Sequence, residues 1–322
     1  MNIREKTRLY STKNNPLALL SLVGNLAVYF LSLYLALTVG NQDRILWILL
    51  IPLIVITALA GARLYMLQHD TGHLSLFSGK RSNEIAGYIL SPFTVTPFRV
   101  MQYNHNLHHT YVGNLDARDK GEIHTMTFQE WNAATPWQRT YYRLYRNPFV
   151  MLPLGGFITY FIRYRWPKNT LLVGVWGVLI HNALLLGYAA LIFAGFGWTG
   201  VLIHLATIFV ASQLGVFLVY LQHNFEDTYW DPKPALDFER ASLRGSSCLD
   251  FGWVFDEIVA NITKHDIHHL NASIPCYRLR QCHRDLADDF ELRSIGLREA
   301  LASFRLKLWD ESQGKLVPFP KL

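Results

Sequence analysis

Residues 45–73 read ILWILLIPLIVITALAGARLYMLQHDTGH. From Ile45 to Leu67 the only charge is Arg63, and a membrane-spanning helix needs about 20 mostly apolar residues. The stretch therefore predicts a span that runs straight into His69 and His73. Those two histidines are four apart, so a continuing helix presents both on one face. The same logic applies to His105, His108 and His109 in HNLHH and to His265, His268 and His269 in HDIHH. Eight of the 13 histidines lie in these three clusters. Adding His223 in LQHNFE gives nine nitrogen donors, too many for one tetrahedral ion and suited to two. The pattern indicates a histidine-rich di-metal site.

Composition agrees with a membrane setting. The 322 residues are 51% hydrophobic and 17% charged, against about 25% charged in a typical soluble domain. Four stretches have the length and apolarity of spans, approximately 17–39, 45–67, 171–195 and 199–221. Short turns join them in pairs, so two hairpins are expected. The first is longer than the apolar core of a signal peptide and lacks a cleavage site, so it is expected to be retained. Basic residues crowd 1–16 and 68–170, including Arg163, Arg165 and Lys168, which places 1–16, 68–170 and 222–322 on the cytoplasmic side by the positive-inside rule. Both termini and all the histidine clusters then share one face. Shorter apolar stretches at about 85–98 and 148–162 contain prolines and read as interfacial or re-entrant. Thr135-Pro136 reads as a helix start, leading to a helix ending near Asn147. In the C-terminal third, helices are expected from about Gly252 through the third cluster and from Leu297 to Leu308. The fold class is all-α integral membrane: one unit over 1–322, four transmembrane helices in two hairpins with a helical cytoplasmic cap.

Several chemistries are excluded. Cys248, Cys276 and Cys282 have neither CxxC nor iron–sulfur spacing and read as ordinary thiols. A zinc protease needs HExxH, and soluble di-iron carboxylate proteins use Glu-x-x-His. This chain has neither. The net charge of +6 fits cytoplasmic loops rather than nucleic-acid binding. Imidazole suits iron, copper, nickel and zinc alike, so ligand type leaves the metal open.

HDTGH after a span, HNLHH about thirty residues on, VYLQHNFE after the fourth apolar stretch and HDIHHLNASIPCYRL near the end resemble the membrane fatty-acid desaturases and their hydroxylase relatives. The likeness covers Leu17 to Leu286 and is nearest the omega-6 (delta-12) acyl-lipid branch. The resemblance implies two iron ions held by His69, His73, His105, His108, His109, His265, His268 and His269, with His223 as ninth ligand. It also implies dioxygen as co-substrate, electrons from a separate ferredoxin or cytochrome b5, and a membrane lipid or acyl substrate losing hydrogens from adjacent methylenes. The chain carries no cytochrome b5, dinucleotide-binding or ferredoxin signature of its own, so the electron donor is expected to be external. A bacterial inner membrane is the expected location. Asn261, four residues before His265, and Asp70, Asp116, Asp119 and Asp266 are candidates to orient ligating imidazoles. The cations Arg163, Arg165, Lys168, Arg278, Arg280 and Arg284 are candidates for docking an acidic carrier or lipid phosphate. His181 and His204, inside expected spans, read as structural hydrogen-bonding residues. A hydroxylase on the same scaffold is the alternative outcome. A membrane metal-binding or transport protein would need acidic or histidine ligands deep in the spans, and only His181 and His204 lie there, with no Asp or Glu.

Overall fold

A computed structural model describes residues 2–118, 120, 123–165, 167–233 and 235–320, and the side chains of all of these except 167–169. Asp119 and the Lys168 side chain fall outside that description. The fold is mostly helical. Three helices among the described residues are long and apolar enough to cross a membrane: Asn15–Gly40, Arg44–Gly72 and Val175–His223.

The first starts where the Asn14 side chain accepts from Leu17 N and Pro16 occupies the first turn, a position where a missing N–H costs nothing. The second opens as a 3-10 turn, Arg44–Leu49, and continues as Leu50–Gly72. The third, 49 residues long, is interrupted at Gly197, whose φ of 61° and ψ of −158° are not helical. Only glycine takes such a conformation cheaply. The chain reverses there: the rings of Tyr188 and His204 lie 5.0 Å apart, whereas sixteen residues of straight helix span about 24 Å. The expected start at 171 moves to Val175, because Gly174 at φ 99° separates this helix from Pro167–Val173.

Leu33, Leu64, Leu67, Leu218 and Leu221 are buried where these helices meet. Their outer faces leave Leu20, Leu31, Ile48, Ile51, Leu186 and Leu191 exposed, far more apolar surface than water-soluble monomers present. The two shorter apolar stretches form Lys80–Leu90 with a following turn, and Pro148–Phe157 continuing as a π-helical turn, Ile158–Ile162. Pro136–Tyr145 is a helix with Thr135 and Gln138 in a capping box, as its sequence predicts.

The C-terminal third departs from the expected all-helical reading. Strands Cys248–Asp250 and Ser294–Gly296 pair in parallel, and Leu306–Asp310 pairs antiparallel with Lys315–Pro318. The helix expected over 297–308 stops at Ala302, because the residues after it pair through a turn at Gly314 (φ 61°). The helix expected from Gly252 through the third cluster is also broken. Trp253–Ile258 ends before Ala260 (φ 50°) and Asn261 (φ 60°), and a new helix begins at His265. Backbone groups in this gap are claimed by other elements: Gln222 donates to Ile262 O (2.8 Å) and Leu249 N to Thr263 O (2.9 Å). Tertiary hydrogen bonds override local helix propensity here.

Candidate metal centre

Four elements bring the histidines together. The second long helix carries His69 in its last turn with His73 as its C-cap, and Phe98–Tyr111 carries His105, His108 and His109. The third long helix ends at His223, and the six-residue helix His265–Leu270 carries the rest. The nine side chains sort into two groups: His69, His73, His105, His109 and His268, and then His108, His223, His265 and His269. Within each group one nitrogen per ring lies within 4.8 Å of all the others. The groups adjoin, with the rings of His109 and His269 stacked 4.2 Å apart.

In the first group the Nε2 atoms form a chain: His69 to His105 at 2.7 Å, His105 to His109 at 2.9 Å and His109 to His268 at 3.0 Å. In the second, His265 Nε2 lies 3.1 Å from His223 Nε2 and 3.0 Å from His269 Nε2. An Nε2 has either one proton or one lone pair, aimed in one direction. It cannot satisfy two such neighbours by hydrogen bonding. A shared cation can: two nitrogens each about 2.1 Å from an ion and at right angles to one another are about 3 Å apart. The residues present therefore fit a pair of metal ions.

Protonation points the same way. Burial, then repulsion from neighbouring imidazoles, pushes His105, His109, His265, His268 and His269 well below their ordinary value of 6.5. At neutral pH these rings are uncharged and free to donate lone pairs. His223 Nδ1 donates to Gly245 O at 2.9 Å, which fixes the tautomer and leaves Nε2 as the free donor. That carbonyl belongs to a glycine, so no side-chain signal in the sequence marks it.

The profile of the fatty acid desaturase family matches residues 45–300. This chain belongs to that family. It is thus an oxidoreductase of lipid metabolism, and its long apolar helices make it a membrane protein. A fatty acid desaturase of Bacillus subtilis is 33% identical over 96% of this chain and 86% of its own length. An sn-1 oleoyl-lipid 12-desaturase of Synechocystis is 24% identical over 73% of this chain and 66% of its own. A Nostoc sn-1 acyl-lipid omega-3 desaturase (ferredoxin) is 25% identical, covering 67% and 61%.

Around the histidines of this desaturase, the acidic candidates play different parts. Asp70, 1% exposed, has Oδ1 3.5 Å from His69 Nδ1, while its Oδ2 accepts from Cys276 N at 2.7 Å. It ties the first cluster to the segment behind the third. Asp266 is fully buried; its Oδ2 lies 3.8 Å from His283 Nε2, and burial pushes the Asp266 carboxyl up to about 7 and the His283 imidazole down to about 4, so the pair is not ionic. The sequence expectation that it orients a ligand is corrected, because on this short helix its side chain faces Cys276–Ala287. Asn261 does not share a helix face with His265, since it lies before the helix with left-handed backbone. Its Nδ2 donates to Cys276 O at 3.0 Å, and its Oδ1 is buried without a partner among the described residues. Asp116 Oδ2 accepts from Lys233 N at 3.3 Å.

The basic candidates are also sorted. Arg165 is an internal brace, donating to Asn182 Oδ1 (2.8 Å), Val95 O (3.2 Å) and His181 Nε2 (2.9 Å). His181 is further bonded to Ser91 Oγ at 2.6 Å, which is the structural role its position suggested. Arg280 pairs with Glu257 at 2.7 Å and Arg284 with Asp285 at 3.3 Å. The three cysteines are free and buried.

Proposed function

We propose that this protein is an oxygen-dependent acyl-lipid desaturase, with His69, His73, His105, His109 and His268 holding one iron and His108, His223, His265 and His269 the other. The observation that carries the reading is the sorting of nine converging histidines into two adjoining groups. Iron with dioxygen supplies the oxidising power that an unactivated methylene pair requires. Overall, two adjacent C–H bonds are replaced by a C=C bond, and the two hydrogens removed leave with dioxygen, two external electrons and two protons as two waters. The chain's own part is to hold the rings neutral and aimed, and to keep the site at the end of an apolar bundle where an acyl chain can reach it.

The proposed topology is a single unit with four spans, the third long helix counting as two that turn at Gly197. The segments 1–16, 68–170 and 222–322 then lie on the cytoplasmic side of a bacterial inner membrane. Tyr188 against His204 supports the hairpin. The proposed electron donor is a separate ferredoxin, which the printed name of the Nostoc relative supports, with cytochrome b5 as the other candidate. The motif resemblance favours delta-12 placement of the double bond.

The test is mass spectrometry of total acyl chains from cells expressing the protein with ferredoxin and its reductase, beside a His269→Ala variant. New chains two mass units lighter, missing in the variant, are the expected result. Chains heavier by one oxygen would move the assignment to hydroxylation, and full product from His269→Ala would overturn the ligand set.

A further inference from the structure

Two cations are buried together without an acid between them. Arg146, 1% exposed, follows the helix Pro136–Tyr145, and Lys307, 7% exposed, lies in the strand Leu306–Asp310. The Arg146 guanidinium donates to uncharged acceptors: His124 O at 3.1 Å and Thr125 Oγ1 at 2.7 Å from Nη1, and Asn224 Oδ1 at 2.6 Å from Nη2. Its Nε–H has no partner among the described residues. Lys307 Nζ donates to Arg146 O at 2.6 Å, and both cations lie over the ring of Tyr220, at 5.2 and 5.9 Å. The acids that follow Asn224 are engaged elsewhere, Glu226 with Lys315 (3.6 Å) and Asp227 with Arg293 (3.0 Å).

Arginine and lysine are almost never fully buried unless paired, and two like charges side by side add to the cost. Burial, then the neighbouring Arg146 charge, pushes the Lys307 ammonium down to about 7. An anion from outside the chain would relieve both groups. Arg146 lines a cavity of about 230 Å³ together with Thr125, Tyr220, His223 and Asn224. Pockets that enclose whole small molecules run to roughly 300–1,000 Å³, so this one suits a single polar group. Val219, 37% exposed, is the most exposed residue of its wall, and the cavity opens beside it. Val219 lies one turn before His223 at the end of the third long helix. On the proposed topology that is the edge of the hydrocarbon layer, where lipid phosphates lie.

We propose that this cavity is a phosphate site, in which the head-group phosphate of a membrane lipid, or free phosphate, pairs with Arg146 while Lys307 supplies a second positive charge. A guanidinium presents a planar set of donors that matches phosphate oxygens, and the Nε–H is the donor still open. Because His223 lines the same cavity, a lipid held there has its head group beside the second histidine group. The binding itself does not depend on the desaturase reading.

Calorimetric titration of the purified full-length protein in an uncharged detergent tests this. The ligands are dihexanoyl phosphatidylglycerol, inorganic phosphate, and dihexanoylglycerol, which lacks the phosphate. Arg146→Ala removes bonds to several segments and would report on folding as well as binding, so the variants are Lys307→Met, which removes a buried like charge, and Val219→Trp, which fills the opening. Saturable binding of the phospholipid but not of dihexanoylglycerol is expected, weakened about tenfold or more in Lys307→Met and lost in Val219→Trp. Competition by inorganic phosphate would extend the site to the free ion, and its absence would assign the site to the lipid. Equal binding of dihexanoylglycerol, phospholipid binding unchanged in both variants, or no saturable binding of either phosphate compound would overturn the proposal. Each of these outcomes leaves the desaturase reading standing, because that reading is decided by the acyl products.

Discussion

The second and third histidine clusters have the same HxxHH spacing and unlike supports. The second sits on a 14-residue helix, Phe98–Tyr111, with turns on both sides of the first ring. The third sits on six residues, His265–Leu270, and helices that short are not stable alone in water. What holds it is packing. Ile267 and Leu270 are buried against Ile3, Ile274, Leu279 and Leu286, and Asn271 at its end donates to Thr7 Oγ1 and Ser11 Oγ at 3.2 and 3.1 Å. Identical ligand spacing can thus be supplied by a longer helix or by a six-residue one held by its surroundings, and the two should fail differently.

The largest effect is expected from the rings themselves. His105→Ala and His268→Ala, one from each helix, should both lower product more than about a hundredfold, beyond the ten- to hundredfold typical of residues around a ligand shell. Iron analysis of the purified variants should show about one ion lost per chain. Equal, undiminished metal content in both would break the shared-site view.

Asp70→Ala should come next. It leaves the buried Cys276 N–H without its acceptor, at a cost of about 1–3 kcal/mol, and it loosens the short helix more than the longer one. Hydrogen exchange should quicken at 265–276 while 98–111 stays protected. Equal exchange in both segments would erase the contrast.

Acid should act on both helices together. The clustered histidines bind protons less readily folded than unfolded, so below the ordinary value of 6.5 the unfolded chain gains protons that the folded one refuses, and stability falls as pH falls. Metal-free protein in detergent should melt at a lower temperature at pH 5.5 than at pH 7.5, with the slope reduced in His105→Ala. The smallest effect is that of Asn271→Ala, about 1 kcal/mol, seen as a lower melting temperature with metal content retained at saturating iron.

The sequence carried the ligand spacing because helix periodicity is local: His69 to His73 or His105 to His109 can be read without knowing the fold. It also carried the long apolar helices, since length and hydropathy are one-dimensional quantities. The break at Ala260 and Asn261 was illegible, because it depends on Gln222 and Leu249 claiming the backbone from far along the chain. The strand at Leu306–Asp310 was hidden likewise, since its partner is a short segment reached through a glycine turn. Asp266 was misread because neighbours in sequence do not share a helix face, so beside His265 it points toward His283 instead.

The division of rings between the two groups follows neither cluster boundaries nor helix boundaries. The second cluster gives His105 and His109 to one group and His108 to the other, and the third gives His268 to one and His265 and His269 to the other. Neither proposed ion can be bound without ordering both helices. On the proposed ligand set the first ion would draw rings from both helices and leave the second set aligned, so cooperative loading is the expected outcome. Under iron limitation such a protein is expected to divide into fully loaded and empty molecules, with few carrying a single ion.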